Sequence, residues 1–187
     1  MPTVLVGDSQ AVKNMDSAEI ETKGFCFYKC TNGIKRHLLV DSLGNAFFVH
    51  CTPANVSDDD GLVQLVESNI DYFKKLQVVS EDSRLIIILD TGYHKDSLEK
   101  KFQLIYPEIL TKITIEIAEK MSPNMKKEKG ISGFIPLATR WKIERSNSWM
   151  EKCRVLWKNC EAQLLTSVAK IKLCFIRLIV RRLCPAE

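Results

Sequence analysis

The sequence predicts an α/β fold in which a mixed sheet is flanked by helices, with a helical pair at the C-terminal end. A continuous apolar run at residues 85–89 is typical of a strand buried on both faces. Two shorter apolar stretches, separated by turn residues 41–45, indicate a β-hairpin. Apolar residues at helical spacing, in 62–73 and again in 162–183, indicate helices with one buried face.

The elements follow from local patterns taken in chain order. The predicted strands cover residues 3–7, 34–41, 46–51, 84–93 and 113–117. The first of these ends on Asp8, and residues 13–33 are predicted to be a loop with some extended structure. Ser57 with Asp60 forms a capping box that begins a helix. Further helices are predicted at 94–106, 136–160 and 162–183, with a basic loop at about 120–133 before the helical pair.

Composition favours one domain with a polyanionic partner. A length of 187 residues suits a single domain, and 45% hydrophobic residues suffice for a core. Charge is uneven, because residues 1–90 hold 8 basic and 13 acidic side chains whereas residues 91–187 hold 19 basic and 10 acidic ones. A basic second half indicates nucleic acid or a membrane surface. The alternatives are a solvated lysine-rich face and, for the apolar side of the last helix, simple core packing.

Neither secretion nor membrane insertion is predicted. The N-terminus lacks a signal-peptide pattern, and no stretch is apolar and charge-free over the roughly 18 residues that a membrane span needs. The seven cysteines are therefore expected to be free thiols in a reducing cytosol, and their spacing does not match a zinc finger. We expect a cytoplasmic protein.

Three acidic residues are predicted to meet at one edge of the sheet. Asp90 ends the central strand, Asp8 ends the first strand, and Glu144 lies on a late helix one turn after Arg140. Open α/β sheets bind ligands at the carboxyl ends of their strands, although an aspartate there can also simply begin a turn. Converging carboxylates repel each other unless cations neutralise them, and their oxygens suit Mg²⁺ or Mn²⁺. Two such ions about 4 Å apart promote phosphodiester displacement.

Other chemistries have less support. Two carboxylates alone also serve glycosidases, but a basic second half suits a polyanion better than a sugar. Three histidines and the absence of a Gly-x-Ser-x-Gly motif give little support to Ser/His/Asp catalysis. Neither a Walker-type loop nor a Gly-x-Gly-x-x-Gly loop is present.

Short motifs surround the three acids. Residues 8–10 read Asp-Ser-Gln, residues 90–93 read Asp-Thr-Gly-Tyr, and residues 140–145 read Arg-Trp-Lys-Ile-Glu-Arg. Together they resemble the Asp-Ser-Gln, Asp-Gly-Gly-Tyr and Arg-Trp-x-x-Glu-Arg motifs of bacterial insertion-sequence DDE transposases. Residues 33–41 and 54–61 are similar to two further stretches of that family. The resemblance extends to the closing helix and so covers nearly the whole chain.

The resemblance implies a single RNase H-like catalytic domain over residues 1–187 that cleaves DNA strands and transfers them with Mg²⁺ or Mn²⁺. It implies Asp8, Asp90 and Glu144 as the catalytic, metal-binding triad. It also implies DNA contacts from Lys35, Arg36, His37, Arg140 and Arg145. For the first three of these, a solvated strand edge is the alternative. The implied partners are the element's DNA ends, target DNA and a second copy in a synaptic complex, at the bacterial nucleoid.

Some positions depart from the family's pattern. Thr91 replaces a glycine, Cys26 stands where the family often has an acid, and Lys142 and Asn147 replace residues that are commonly apolar. Family members usually carry a helical N-terminal region that binds the element's ends, whereas this chain begins at the first catalytic strand. A truncated, non-catalytic remnant that only binds DNA, alone or beside a separate N-terminal fragment, is therefore the second hypothesis.

Overall fold

A computed structural model describes residues 2–16, 19, 22–78, 80, 83–118 and 138–184. The basic loop predicted at about 120–133 lies outside these residues. Among the helices that the structure describes, none has the length and apolar character needed to cross a membrane.

The described residues form a mixed sheet and a set of helices, as the sequence predicts. The strands are β1 (Val4–Lys13), β2 (Gly24–Cys26), β3 (Thr31–Val40), β4 (Ala46–Pro53), β5 (Leu85–Leu89) and β6 (Ile113–Ile117). The helices are α1 (Asp58–Glu67), α2 (Ile70–Lys75), α3 (Lys95–Ile105), α4 (Ile109–Lys112), α5 (Ala138–Glu151) and α6 (Leu164–Leu183). A 3₁₀ turn at Arg154–Leu156 follows α5.

Strand β1 lies at the centre of the sheet and pairs differently on its two edges. On one edge it is antiparallel to β3, from Val6 opposite Val40 to Lys13 opposite Gly33. On the other edge it is parallel to β5, with Val6 opposite Ile88. Strand β5 is in turn parallel to β6, while β3 also pairs with β2 and β4. The predicted hairpin and the predicted parallel central pair are both present.

The prediction that Asp8 ends the first strand is wrong. Strand β1 continues five residues beyond it, to Lys13, because β3 still pairs with β1 where β5 has ended. Asp8 lies opposite Leu38 in the middle of that pairing. Its position along the strand is therefore fixed by sheet hydrogen bonds on one side and is open on the other.

Helices cover both faces of the sheet and bury two separate clusters of apolar side chains. Helices α1 to α4 cover one face, where the cluster includes Leu5, Leu39, Leu65, Phe73, Ile87, Leu98, Phe102 and Ile115. Helices α5 and α6 cover the other face, where it includes Val6, Ile34, Leu38, Val49, Ile143, Met150, Ile171 and Phe175. Burial on both faces explains why the strands are continuously apolar.

Two helix boundaries differ from the prediction. The apolar pattern that runs through residue 73 is divided between α1 and α2, and Asn69 Nδ2 donates to the Leu65 carbonyl (2.7 Å) where the helix breaks. Helix α5 ends at Glu151, not near residue 160. There the chain leaves the helix and pairs with the end of β1, since Asn159 N donates to the Lys13 carbonyl (2.9 Å).

The capping box at the start of α1 is confirmed. The Asp60 backbone N–H donates to Ser57 Oγ (3.0 Å), and Ser57 Oγ donates to Asp60 Oδ2 (2.6 Å). We expect Ser57→Ala to lower the free energy of unfolding by about 1 kcal/mol, measured by urea denaturation, because an N-terminal N–H loses its acceptor. Ser42→Ala, at an exposed turn position, is the control and should change it by less than about 0.5 kcal/mol.

Candidate active site

Three acidic side chains from three different elements line one small cleft. Asp8 comes from β1, Asp90 follows β5, and Glu144 lies on α5; together with apolar residues they enclose about 10 Å³. Asp8 and Asp90 each lie two residues beyond the parallel pair of Val6 and Ile88. The parallel pairing therefore brings the two aspartates side by side, and α5 brings the glutamate across the same edge.

Asp8 is a carboxylate held at an energetic cost. Burial raises its pKa to about 6, and the negative charge of Asp90 adds to the rise. Donated hydrogen bonds oppose it, from the Ser9 backbone N–H to Oδ1 (2.8 Å) and from Asn147 Nδ2 to Oδ2 (2.9 Å). Asn147 was not predicted as a site residue. The available signal was its position three residues after Glu144, which places both on neighbouring faces of one helix.

Arg140 contacts two of the three acids. Its Nη1 lies 3.1 Å from Asp90 Oδ1, and its Nη2 lies 3.5 Å from Glu144 Oε1. The Arg140, Asp90 and Glu144 side chains are 26%, 30% and 45% exposed. Because an arginine four residues before a glutamate shares its helix face, α5 delivers both groups to the cleft together.

The donor set fits a hard divalent cation in kind, since carboxylate oxygens are the ligands that Mg²⁺ and Mn²⁺ prefer. Its present arrangement is a different matter. In the part of the chain that the structure describes, no three His, Cys, Asp or Glu side chains are grouped so that they could hold a metal ion. The positive charge beside Asp90 and Glu144 comes instead from Arg140.

A larger cavity of about 320 Å³ opens beside the cleft and shares Asp8 and Asp90 with it. Lys35 and Tyr93 also line this cavity. Lys35 Nζ lies 2.9 Å from Asp58 Oδ1 and donates to the Val56 carbonyl (2.7 Å). The cavity therefore joins the acids to a basic side chain at an opening much wider than the cleft.

The other two residues of the basic stretch lie in the interior. Arg36 is 3% exposed, and its Nη2 donates to the Leu156 carbonyl (2.8 Å). His37 is 1% exposed and forms a hydrogen bond with Thr52 Oγ1 (2.9 Å). Both side chains are enclosed because β3 has strands on both edges and helices on both faces. The structure brings Lys35 to the acids but not Arg36 or His37.

Arg145 is held away from the acids. Its Nη2 donates to the Leu43 carbonyl (2.7 Å), and its guanidinium carbon lies 4.9 Å from the centre of the Trp149 ring. It thereby ties α5 to the β3–β4 turn, where Gly44 has a positive φ of 78°.

Comparison with known proteins identifies the family. The family described as Transposase DDE domain matches residues 1–178. A search of curated proteins found no match. The mixed sheet flanked by helices agrees with the RNase H-like fold of this family, whose members act on DNA and typically use divalent metals. The chain belongs to the transposase DDE domain family.

Proposed function

We propose that this chain is the catalytic core of an insertion-sequence transposase, which cleaves a DNA strand and joins it to target DNA with Mg²⁺ or Mn²⁺. The observation that carries the proposal is the convergence of Asp8, Asp90 and Glu144 on one cleft. Burial raises the pKa of Asp8 beside a second carboxylate. A strongly perturbed acid of this kind in a cleft is typical of functional sites.

In this proposal Asp8, Asp90 and Glu144 hold the metal ions. When bound, such ions generate a nucleophile from water and stabilise the charge on the attacking and leaving oxygens of a phosphodiester. Ser9 and Asn147 orient Asp8 by donating to its two oxygens. Each oxygen has two lone pairs, so one donated hydrogen bond leaves further acceptor capacity for a ligand.

Basic side chains around the acids would hold the DNA. Lys35 lines the larger cavity beside Asp8 and Asp90, and we propose that it contacts a phosphate there. Arg140 would exchange its carboxylates for a phosphate near the cut, and Arg145 would contact the backbone farther along α5. Phosphate contacts of this kind give affinity that depends steeply on salt. Arg36 and His37 are not included, because a buried side chain does not reach a phosphate.

The test compares Asp90→Asn with Asp71→Asn, the same change at an exposed position of α2. We expect Mn²⁺ to stabilise the wild type and Asp71→Asn by about 2.7 kcal/mol at a hundredfold excess over the dissociation constant. Asp90→Asn should lose most of that shift. It should also cleave duplex DNA at least about a hundredfold more slowly, since even outer partners of metal ligands cost 10–100-fold.

The second hypothesis, a non-catalytic protein that only binds DNA, draws support from the pairing of Arg140 with two of the acids. It predicts that a cooperatively melting wild type shows no Mn²⁺ shift and no cleavage, while DNA binding persists. That combination would overturn the catalytic proposal.

A further inference from the structure

We infer that a second surface, distinct from the carboxylate cleft, binds the sugar-phosphate backbone of DNA. This surface, the α5–α6 groove, is a cavity of about 220 Å³ lined by Trp149, Lys152, Cys153, Cys174, Arg177, Leu178 and Arg181. Three of these seven side chains are cationic and none is acidic. The inference rests on the proposed DNA substrate and adds to it a place where the DNA is held.

The cations of the groove are not neutralised by the protein. Elsewhere, basic side chains near the core are paired with acids, such as Lys35 with Asp58. Within the described ranges, by contrast, Lys152, Arg177 and Arg181 have no ion pair. Helix α6 contains basic residues but no acidic residue along its 20 positions. A concave surface with one sign of charge concentrates an oppositely charged ligand.

A fixed aromatic ring forms one wall of the groove. The Trp149 ring has two guanidinium neighbours, Arg182 at 4.3 Å and Arg145 at 4.9 Å from the ring centre. Each arginine is also bonded to the β3–β4 turn, Arg182 to Asn45 Oδ1 (2.7 Å) and Arg145 to the Leu43 carbonyl. The groove is therefore pre-organised, which reduces the entropy lost when a ligand binds.

The spacing of the cations fits a nucleic-acid backbone. Arg177 and Arg181 are one helical turn apart, a rise of about 6 Å, and each strand of duplex DNA carries a phosphate about every 3.4 Å of axis. Lys152 lies eight residues beyond Glu144 on α5, about 12 Å along the helix axis. A duplex whose scissile phosphate lies at the acids can thus place phosphates three or four nucleotides away at the groove.

The test measures DNA affinity without cleavage. A labelled 30-base-pair duplex is titrated in EDTA at several KCl concentrations, with the wild type and with the double variant Arg177→Gln/Arg181→Gln. Each lost phosphate contact lowers the slope of log K against log salt by about 0.9, so we expect a slope shallower by about 1.8. The control is Lys74→Gln/Lys100→Gln, which removes two exposed charges from α2 and α3 and should leave the slope nearly unchanged.

A lysine pair, Arg177→Lys/Arg181→Lys, keeps both charges and should bind DNA nearly as the wild type does, which excludes a folding defect. Equal slopes for the glutamine pair and its control would overturn the groove alone, because metal-dependent cleavage is tested separately through Asp90. A wild type that fails to bind duplex DNA at low salt would overturn the proposed function as well. A glutamine pair that loses binding to phosphatidylserine vesicles but not to DNA would assign the groove to membranes and so also overturn the inference.

Discussion

Arg140→Gln is expected to tighten Mn²⁺ binding about tenfold while it slows DNA cleavage. In the metal-free protein the guanidinium lies against Asp90 and Glu144, so a bound cation has to displace or oppose a positive charge. All three side chains are partly exposed, and exposed pairs contribute only about 0.2–1 kcal/mol each. Two such pairs together correspond to about 1.4 kcal/mol, which is a factor of ten in the dissociation constant.

Isothermal titration with Mn²⁺ measures this effect directly. The matched control is Lys142→Gln, which removes one positive charge from the same helix at a side chain with no ion pair in the described structure. It should change the Mn²⁺ dissociation constant by much less than Arg140→Gln. Weaker or unchanged Mn²⁺ binding in Arg140→Gln would show that the arginine does not compete with the cation. The opposite signs expected for metal binding and cleavage separate this competition from a general loss of structure.

Acid should destabilise the protein through His37. Burial lowers the pKa of His37 from 6.5 to about 3, because the ring is enclosed and stays neutral in the folded state. The unfolded chain binds a proton at pKa 6.5, so below that pH it holds more protons than the folded state. The contribution to stability is therefore fully present above pH 6.5 and falls as the pH falls towards 3. Between pH 7 and pH 4.5 the loss is about 3 kcal/mol.

The charged neighbours of His37 do not reverse this direction. Asp58 on α1 favours the protonated ring, whereas His50 on β4 and Lys35 on β3 disfavour it, and burial outweighs all three. On the fourth side α1 leaves no room, because a Cβ at Gly61 would lie 2.0 Å from the ring.

Urea denaturation from pH 7.5 to pH 4.5 tests the expectation. His37→Gln should have a lower stability at neutral pH but a clearly shallower fall in acid than the wild type. His50→Gln is the comparison. Burial also lowers the pKa of His50, while its hydrogen bond with Gln64 opposes the shift, so this variant should change the slope less. A His37→Gln protein with the full wild-type slope would contradict the assignment.

Much of the fold was readable from local patterns. The apolar run that ends on Asp90, the hairpin and the strand at 113–117 all depend on the alternation or continuity of apolar residues. The capping box at Ser57 depends on side chains three residues apart. These interactions are local, so the sequence specifies them without knowledge of the rest of the fold.

The parts that the sequence did not specify depend on distant partners. Asp8 lies within a strand, not at its end, because β3 continues to pair beside it. Arg36 is enclosed because the turn after α5 returns to accept its hydrogen bond. Arg145 is engaged by Leu43, 102 positions away. A basic residue in a motif has the same local pattern whether it faces solvent or a carbonyl in the interior, so only the assembled fold distinguishes the two.

The long central strand makes the first acid intolerant of changes in chain length. Successive side chains of a strand point to opposite faces, so a one-residue insertion between Val4 and Asp8 would turn that carboxylate away from Asp90 unless the pairing with β3 also slipped. Such a slip would turn Val6 and Val12 out of the core at the same time. Insertions and deletions in relatives that keep the site are therefore expected in the connections between strands and not within β1.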